Sequence, residues 1–160
     1  MHYYTTFTSP LGKITAQANE LGLTGVWFET HTTQPQDLGK RDDHHVTLQQ
    51  AQQQITEFFA QERTCFELPL AAEGTPFQQQ VWQALLAIPY GQTWSYQQIA
   101  NHIGNPKAVR AVGAANGKNP ISVIVPCHRV IGASGKLTGY AGGIERKQAL
   151  LALERSTSND

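Results

Sequence analysis

Hydrophobic and polar residues alternate along the first thirty positions of the chain. Residues 3–8, 12–18 and 22–28 follow this pattern, and glycine and asparagine stand between them. Alternation places one side of each segment on a core and the other side in water, and glycine and asparagine are typical of tight turns. The pattern predicts three antiparallel strands.

The remainder of the first half changes period. Residues 30–45 are polar and predict an exposed loop. Between residues 46 and 63 apolar side chains recur at helical spacing, which predicts an amphipathic helix packed on the sheet. We expect a short strand at residues 66–68 and a linker at residues 70–74. The helical positions are Leu48, Ala51, Ile55, Phe58 and Phe59.

The second half of the chain has a helical pattern. Thr75 and Pro76 suit the N-cap and first position of one helix. Ser95 with a glutamine three residues later forms a capping box, and the helix that it starts is expected to stop at Gly104. A third helix is predicted from Lys107 to about residue 117. Two short helices joined by a tight turn have the outline of a helix-turn-helix.

The third helix is composed almost entirely of small residues. Arg110 is the one long side chain among them, and the others are Ala108, Val109, Ala111, Val112, Gly113, Ala114 and Ala115. Small residues let a backbone approach a partner closely. Close packing against another helix and a surface that faces DNA explain the pattern equally well at this point.

Charge is unevenly distributed along a chain of zero formal net charge. Residues 1–70 carry four basic and eight acidic side chains, whereas residues 71–160 carry eight basic and four acidic ones. No acidic residue lies between Glu73 and Glu145. A segment of one charge sign attracts phosphates, so the pattern suits nucleic acid, although a chance excess of five cations has the same appearance.

The last third of the chain combines a β-branched segment with a cysteine. Residues 121–125 predict a buried strand that leads into Cys127 and His128. A turn at residues 132–135 and a glycine-rich loop at residues 138–143 follow. A last amphipathic helix is predicted from Ile144 to Arg155, with a frayed tail over residues 156–160.

Cys127 and His128 form a candidate nucleophile and base. A thiol attacks as its thiolate, so a group must remove its proton or lower its pKa. Neighbours in an extended segment point to opposite faces, so either the backbone bends here or a water bridges the two groups. Arg129 could stabilise a thiolate, and Glu154 could reach the far nitrogen of the histidine. An inert buried cysteine remains the alternative, and metal ligation is disfavoured by the spacing.

Length and composition exclude several classes of protein. A chain of 160 residues with 40% hydrophobic and 15% charged residues is globular, and it forms one ordinary domain or two small ones. It has no apolar run of membrane-spanning length and no leader pattern at its start. The two cysteines, Cys65 and Cys127, make no disulfide framework, so we expect reduced thiols and a cytoplasmic protein.

These motifs together resemble the O6-alkylguanine-DNA alkyltransferases, or methylated-DNA–protein-cysteine methyltransferases. The resemblance is carried by Asn119-Pro120, the segment 126–130 (Pro-Cys-His-Arg-Val), the loop 139–143 (Gly-Tyr-Ala-Gly-Gly), residues 104–113 and Glu154. It covers residues 75–155 closely and the first 70 residues in outline. It implies an α+β fold in two domains. Residues 1–70 would form a ribonuclease H-like sheet with a helix, and residues 71–160 a helical, winged-helix-like helix-turn-helix domain that carries the chemistry.

The resemblance also implies a reaction and its catalytic residues. The protein would flip an O6-alkylguanine out of duplex DNA and move the alkyl group irreversibly to Cys127, without a cofactor. His128 would be the base, acting through a water, and Glu154 would orient it. Asn119 would brace the site, and Tyr96 would donate a proton to the departing guanine. O4-alkylthymine is a further possible substrate.

The remaining implied roles concern DNA and the base pocket. Arg110 would fill the gap left by the flipped base, and the DNA surface would also include Tyr96, Asn105, Lys107, Ala108 and Ala111. The pocket would be formed by Ser122, Val130, Tyr140, Ala141 and Gly142. Ala141 and Ser122 stand where some relatives have serine and proline. We expect no zinc, no membrane association and a monomer. A non-catalytic DNA-binding module and a cysteine hydrolase are the alternative functions.

Overall fold

The computed structural model describes residues 1–31 and 33–158 and divides into two compact units. One unit comprises residues 1–73 and 120–124, and the other comprises residues 74–119 and 125–160. No helix within the described residues has the length and apolar character needed to cross a bilayer.

The first unit is a small sheet covered by one helix. Strands β1 (Tyr3–Ser9), β2 (Gly12–Ala18) and β3 (Leu23–Phe28) pair antiparallel, as the alternation predicts. A two-residue strand β4 (Lys40–Arg41) pairs parallel with β1, in a segment predicted to be loop throughout. Helix α1 (Val46–Phe59) buries its predicted apolar face: Leu48, Ala51, Ile55 and Phe58.

Two predicted strands are absent from this unit. Residues 66–68 are irregular, and just after them Leu70 forms an isolated bridge with Leu23. Residues 121–125 do not form a strand either. Ile121 bridges Val26, but Val123 has a φ of 70° and the chain turns. A β-branched residue in this left-handed region is unusual, and no pattern of hydrophobicity reveals it.

The second unit is mostly helical. Its elements are α2 (Pro76–Leu85), β5 (Trp94–Ser95), α3 (Tyr96–His102), α4 (Val109–Gly117), a 3₁₀ turn (Cys127–Arg129), β6 (Val130–Ile131) and α5 (Ile144–Ser158). Strands β5 and β6 form a two-stranded parallel pair that the sequence did not predict. The predicted tail at residues 156–160 begins inside α5, and residues 159 and 160 lie outside the described residues.

Helices α3 and α4 form the predicted helix-turn-helix. Both predicted N-caps are made, because Thr75 and Ser95 each form a complete capping box with the glutamine three residues later. Gly104 takes a φ of 75° just after α3, which a side chain would resist. The third helix begins at Val109, two residues later than predicted. The α+β fold class with a sheet domain and a helix-turn-helix domain is confirmed.

Candidate active site

The cysteine and histidine lie on a tight backbone turn. Cys127 begins a 3₁₀ turn whose preceding residue is Pro126, and the amide of Arg129 donates to the Pro126 carbonyl at 3.0 Å. Of the two arrangements left open by the sequence, the backbone bend is present. No hydrogen bond joins the Cys127 sulfur to the His128 ring within the part of the chain that the structure describes.

Cys127 is a buried, protonated thiol. It is 5% exposed, and burial raises its pKa to about 11. A hydrogen bond from the Asn119 side chain and the positive charge of Lys147 oppose this increase without cancelling it. At neutral pH the sulfur therefore holds its proton, and a nearby base must remove it before the sulfur can act as a nucleophile.

Glu154 is an ionised anchor beneath this turn. Its Oε1 accepts from Arg129 Nε at 2.8 Å and from the Gly91 amide at 3.3 Å. Its Oε2 contacts His128 Nε2 at 2.7 Å and accepts from Arg129 Nη2 at 3.0 Å. Burial raises the pKa of Glu154, but its hydrogen bonds with His128 and Arg129 and the positive charge of Arg129 outweigh this effect and lower the pKa to about 2.

The ionised carboxylate fixes the tautomer of His128. A carboxylate only accepts hydrogen bonds, so the 2.7 Å contact requires the proton on Nε2. Nδ1 then carries the free lone pair, and this buried atom has no hydrogen-bond partner in the described part of the chain. Burial lowers the pKa of His128 despite the opposing effect of Glu154. His128 is therefore a neutral imidazole with one nitrogen ready to take a proton.

Asn119 ties the turn to the end of α4. Its side chain is buried, and its Nδ2 donates to the Val125 carbonyl at 2.9 Å while the side chain also hydrogen-bonds Cys127. Both contacts hold the segment just before the nucleophile. The structure thus brings four predicted catalytic residues together: Asn119, Cys127, His128 and Glu154.

Arg129 has a different role from the one that the sequence suggested. Its guanidinium binds Glu154 through two nitrogens and donates through Nη1 to the Ile88 carbonyl at 2.8 Å. It therefore holds the carboxylate, and the cation that acts on the Cys127 thiol is Lys147. The prediction that Arg129 stabilises the thiolate is wrong, because its charge is already paired.

Lys147 is a residue that the resemblance included but to which sequence reasoning assigned no role. Its side chain is completely buried, and its Nζ donates to the Val130 carbonyl at 2.6 Å and the Thr138 carbonyl at 3.3 Å. A signal was available, because Lys147 and Glu154 fall on the same face of α5 as Leu150 and Leu151. Charged residues in line with a buried apolar stripe are rarely incidental.

Tyr96 belongs to the helix-turn-helix and contacts the glycine-rich loop. It is the first residue of α3, and its hydroxyl is 2.5 Å from Thr138 Oγ1. Its ring lies over α4, where a Cβ added at Gly113 would stand 3.8 Å from two ring carbons. The tyrosine is half-buried, and the hydrogen bond with Thr138 holds its hydroxyl group.

Helix α4 has two unlike faces. Val112, Ala115 and Asn116 are buried, and α4 packs against α2 and α3. On the other face Arg110 and Ala111 are exposed. Small residues therefore serve close packing on one side and leave an open surface on the other, where Asn105, Lys107 and Lys118 are also exposed and Ala108 is half-buried.

The predicted pocket residues are less closely grouped. Val130 is buried, and its carbonyl accepts a hydrogen bond from Lys147. Tyr140 and Ala141 are half-buried in the loop before α5. Gly142 is buried, and its carbonyl accepts from Arg146 at 2.9 Å. Ser122 belongs to the first unit, where its amide donates to the Val26 carbonyl at 3.1 Å.

Comparison with known proteins decides the family. Residues 76–156 match the family model described as 6-O-methylguanine DNA methyltransferase, DNA binding domain. Residues 2–72 match its ribonuclease-like domain. The chain belongs to the 6-O-methylguanine DNA methyltransferase family. Curated relatives align with nearly the whole chain, so both halves of it support the same family.

Two of these methyltransferase relatives show how far the similarity extends. The methylated-DNA–protein-cysteine methyltransferase of Mycobacterium tuberculosis is 52% identical over 156 residues, covering 98% of this chain and 94% of that protein. The constitutive enzyme of Bacillus subtilis is 48% identical over 159 residues, covering 97% and 96%.

Solved structures of the methyltransferase family share the fold. The crystal structure of the Mycobacterium tuberculosis O6-methylguanine methyltransferase has 51% sequence identity and a TM-score of 0.89, covering 98% of this chain and 94% of that one. The same values of identity and TM-score hold for a structure of that protein in complex with DNA.

Proposed function

We propose that this protein repairs DNA directly, as a methylated-DNA–protein-cysteine methyltransferase. It moves an alkyl group from the O6 atom of guanine to the sulfur of Cys127 and acts once per molecule. The observation that carries the proposal is the buried Cys127 thiol beside a neutral His128 whose tautomer is fixed by Glu154. Family membership supplies the substrate class.

The nucleophile is activated by proton transfer at the moment of reaction. A thiol with a pKa of about 11 is almost wholly protonated at neutral pH, so it is protected from other electrophiles. When the base enters, the Cys127 proton passes through a water to His128 Nδ1. The sulfur lone pair then forms the S–C bond to the alkyl carbon, and the C–O6 bond breaks with its electrons moving to the guanine.

The departing guanine gains a proton. Tyr96 donates its hydroxyl proton to the ring as negative charge develops there, and the proton held by His128 restores the neutral phenol. In the net reaction the thiol loses one proton, the guanine gains one, and the alkyl group changes partner. The S-alkylcysteine is a stable thioether, which accounts for the single turnover.

Double-stranded DNA binds on the exposed face of α4. Lys107 and Arg110 meet phosphates or the opened stack, and Asn105, Ala108 and Ala111 allow close approach of the backbone. Flipping a base costs a few kcal/mol, which phosphate contacts and the insertion of Arg110 offset. Tyr140, Ala141, Gly142 and Val130 then form the base pocket.

We assign these activities to residues 71–160 and a structural role to residues 1–70. Both cysteines are free, which suits the reducing cytoplasm where we place the protein. A monomer suffices, since one chain supplies the nucleophile, the base and the acid. No residue of the proposed reaction calls for a cofactor.

Intact-protein mass spectrometry tests the proposal. One exposure to duplex DNA containing O6-methylguanine should add one methyl group to the protein, located on the peptide that contains Cys127. Cys127→Ala should gain no mass and still bind DNA. The matched control Cys65→Ser, which removes the exposed thiol, should be methylated like the natural chain.

Two outcomes would contradict the proposal. DNA binding with no change of mass would show a binding module without chemistry. Release of more than one guanine per protein molecule would show a turnover enzyme such as a cysteine hydrolase. In either case the arrangement around Cys127 would need a different explanation.

A further inference from the structure

Thr138 occupies a position to which the sequence assigned no function. It lies in the loop between β6 and α5, and its Oγ1 is 2.5 Å from the Tyr96 hydroxyl. Lys147 Nζ donates to the same Oγ1 at 3.4 Å and to the Thr138 carbonyl at 3.3 Å. Hydrogen bonds thus link three polar groups in a row: the buried Lys147 ammonium group, the Thr138 hydroxyl and the Tyr96 hydroxyl.

This row of hydrogen bonds is anchored firmly at its buried end. Lys147 is completely buried, and its shortest contact, 2.6 Å, is with the Val130 carbonyl of β6. An ammonium group in this position cannot move without leaving a buried carbonyl unpaired, which is unfavourable. Thr138 is therefore held by a fixed donor.

The valence of each group shows which direction of the hydrogen bond between Tyr96 and Thr138 suits a bound base. An ammonium group only donates, so Thr138 Oγ1 accepts from Lys147. Tyr96 and Lys147 are the only hydrogen-bond partners of Oγ1 among the described residues. If Tyr96 donated to Thr138, the threonine proton would have no acceptor in the protein. If Thr138 donates to Tyr96, the phenol proton stays available instead, and a bound base that accepts it would leave all three groups paired.

This direction determines where the tyrosine proton points. With Thr138 donating to its oxygen, Tyr96 must donate its own proton elsewhere, and no other described residue hydrogen-bonds that hydroxyl. A hydroxyl that accepts from a cation-linked donor is also polarised to donate more strongly. The proton is thus available to a guest that enters beside the loop.

We propose that Thr138 is a positioning residue for Tyr96: it orients the phenol so that its proton is directed at the departing guanine. The inference rests on the proposed function, because it assigns Tyr96 the donor role in that reaction. Thr138 itself touches no reacting atom and acts through the tyrosine hydroxyl.

A double-mutant cycle separates this role from simple support of the loop. Thr138→Val keeps the shape and removes the hydroxyl, so single-turnover methyl transfer from duplex DNA should slow by about ten- to a hundredfold, a part of what general acids contribute. Thr138→Ser restores the hydroxyl and should recover the rate to within about threefold. In the Tyr96→Phe background Thr138→Val should change the rate by less than about twofold.

A spectroscopic measurement reports on the hydrogen bond without any reaction. The ring carbon bonded to the Tyr96 hydroxyl, labelled with ¹³C and assigned from Tyr96→Phe, should shift in Thr138→Val and return in Thr138→Ser. This measurement is made on the free protein, so it stands even if no methyl transfer occurs. Absence of transfer in the natural chain would refute the proposed function alone.

Three results would overturn the inference. The first is that Thr138→Val slows the reaction as much in the Tyr96→Phe background as in the natural chain, which would indicate a structural effect of the loop. The second is no loss of rate in Thr138→Val at all. The third is an unchanged ¹³C signal, which would show that the threonine does not contact the tyrosine hydroxyl in solution. Thermal unfolding of each variant confirms that the fold is intact.

Discussion

Glu154→Gln tests whether the carboxylate is the ionised anchor of the site. The substitution preserves the shape of the side chain and removes its charge. Glu154 is 1% exposed and accepts from Arg129, His128 and the Gly91 amide. A glutamine amide offers one oxygen to these donors and turns its own NH₂ group toward the rest. We therefore expect a lower free energy of unfolding.

The size of the loss follows from the pKa of the carboxyl. The change from an ordinary 4.5 to about 2 corresponds to about 3 kcal/mol, since each tenfold change in a protonation constant is worth about 1.4 kcal/mol. Removing one partner of a buried ion pair costs a similar amount, about 3–5 kcal/mol. We expect Glu154→Gln to lose about 3 kcal/mol at pH 7.

The pH dependence has a definite sign. The pKa of Glu154 is lowered in the folded protein, so its contribution is complete above pH 4.5 and is lost as the pH falls toward 2. The difference in stability between the natural chain and Glu154→Gln should therefore be constant from pH 7 to pH 5. It should shrink between pH 4.5 and pH 2, where the natural carboxyl becomes protonated.

Urea unfolding at a series of pH values measures both quantities. The matched control is Glu145→Gln, an exposed carboxyl in the first turn of the same helix, which should cost less than about 1 kcal/mol. If Glu154→Gln lowers the free energy of unfolding at pH 7 by no more than the control does, Glu154 does not stabilise the site as an ionised carboxylate. A difference that grew on acidification would have the wrong sign.

Two further predictions concern DNA and the thiol. Arg110→Ala should slow repair of duplex DNA by about tenfold or more but change the reaction with free O6-benzylguanine by less than about twofold, because the free base needs no flipping. Equal losses in single-turnover assays, or a matching loss in the exposed control Lys118→Ala, would contradict the insertion of Arg110 into the base stack. In the Cys65→Ser background, iodoacetamide should carbamidomethylate Cys127 with a rate that rises about tenfold per pH unit from pH 8 to 10, since only the thiolate reacts. Mass spectrometry follows the reaction. A plateau well below the pKa of about 11 would contradict a buried neutral thiol.

Local patterns predicted those elements whose causes are local. Thr75 with Pro76, and Ser95 with the glutamine three residues later, predicted two helix starts, and the alternation of residues 3–28 predicted three strands. Glu154 was placed near His128 from the resemblance and from its position on the last helix. The contact of 2.7 Å is consistent with that expectation.

Features that depend on tertiary contacts or unusual backbone geometry were not predictable. The strand expected at residues 121–125 is interrupted by the positive φ of Val123, which the β-branched sequence gives no reason to expect. The pairing of β5 with β6 joins residues 36 positions apart. The contact of Thr138 with Tyr96 spans 42 positions in the sequence and depends on the path of an irregular loop.

The excursion of the chain at residues 120–124 limits how the protein can be shortened. These residues belong to the sheet unit, where Ile121 and Ser122 attach to Val26, while Asn119 and Val125 close the base of the excursion through a 2.9 Å hydrogen bond. A fragment that starts at residue 74 would keep residues 120–124 but lack strand β3, to which these residues attach. Buried Ile121 and Val123 would then face water, six and four residues before Cys127. The C-terminal half is thus not expected to fold correctly as a separate fragment, although the sequence suggests a domain boundary near residue 73.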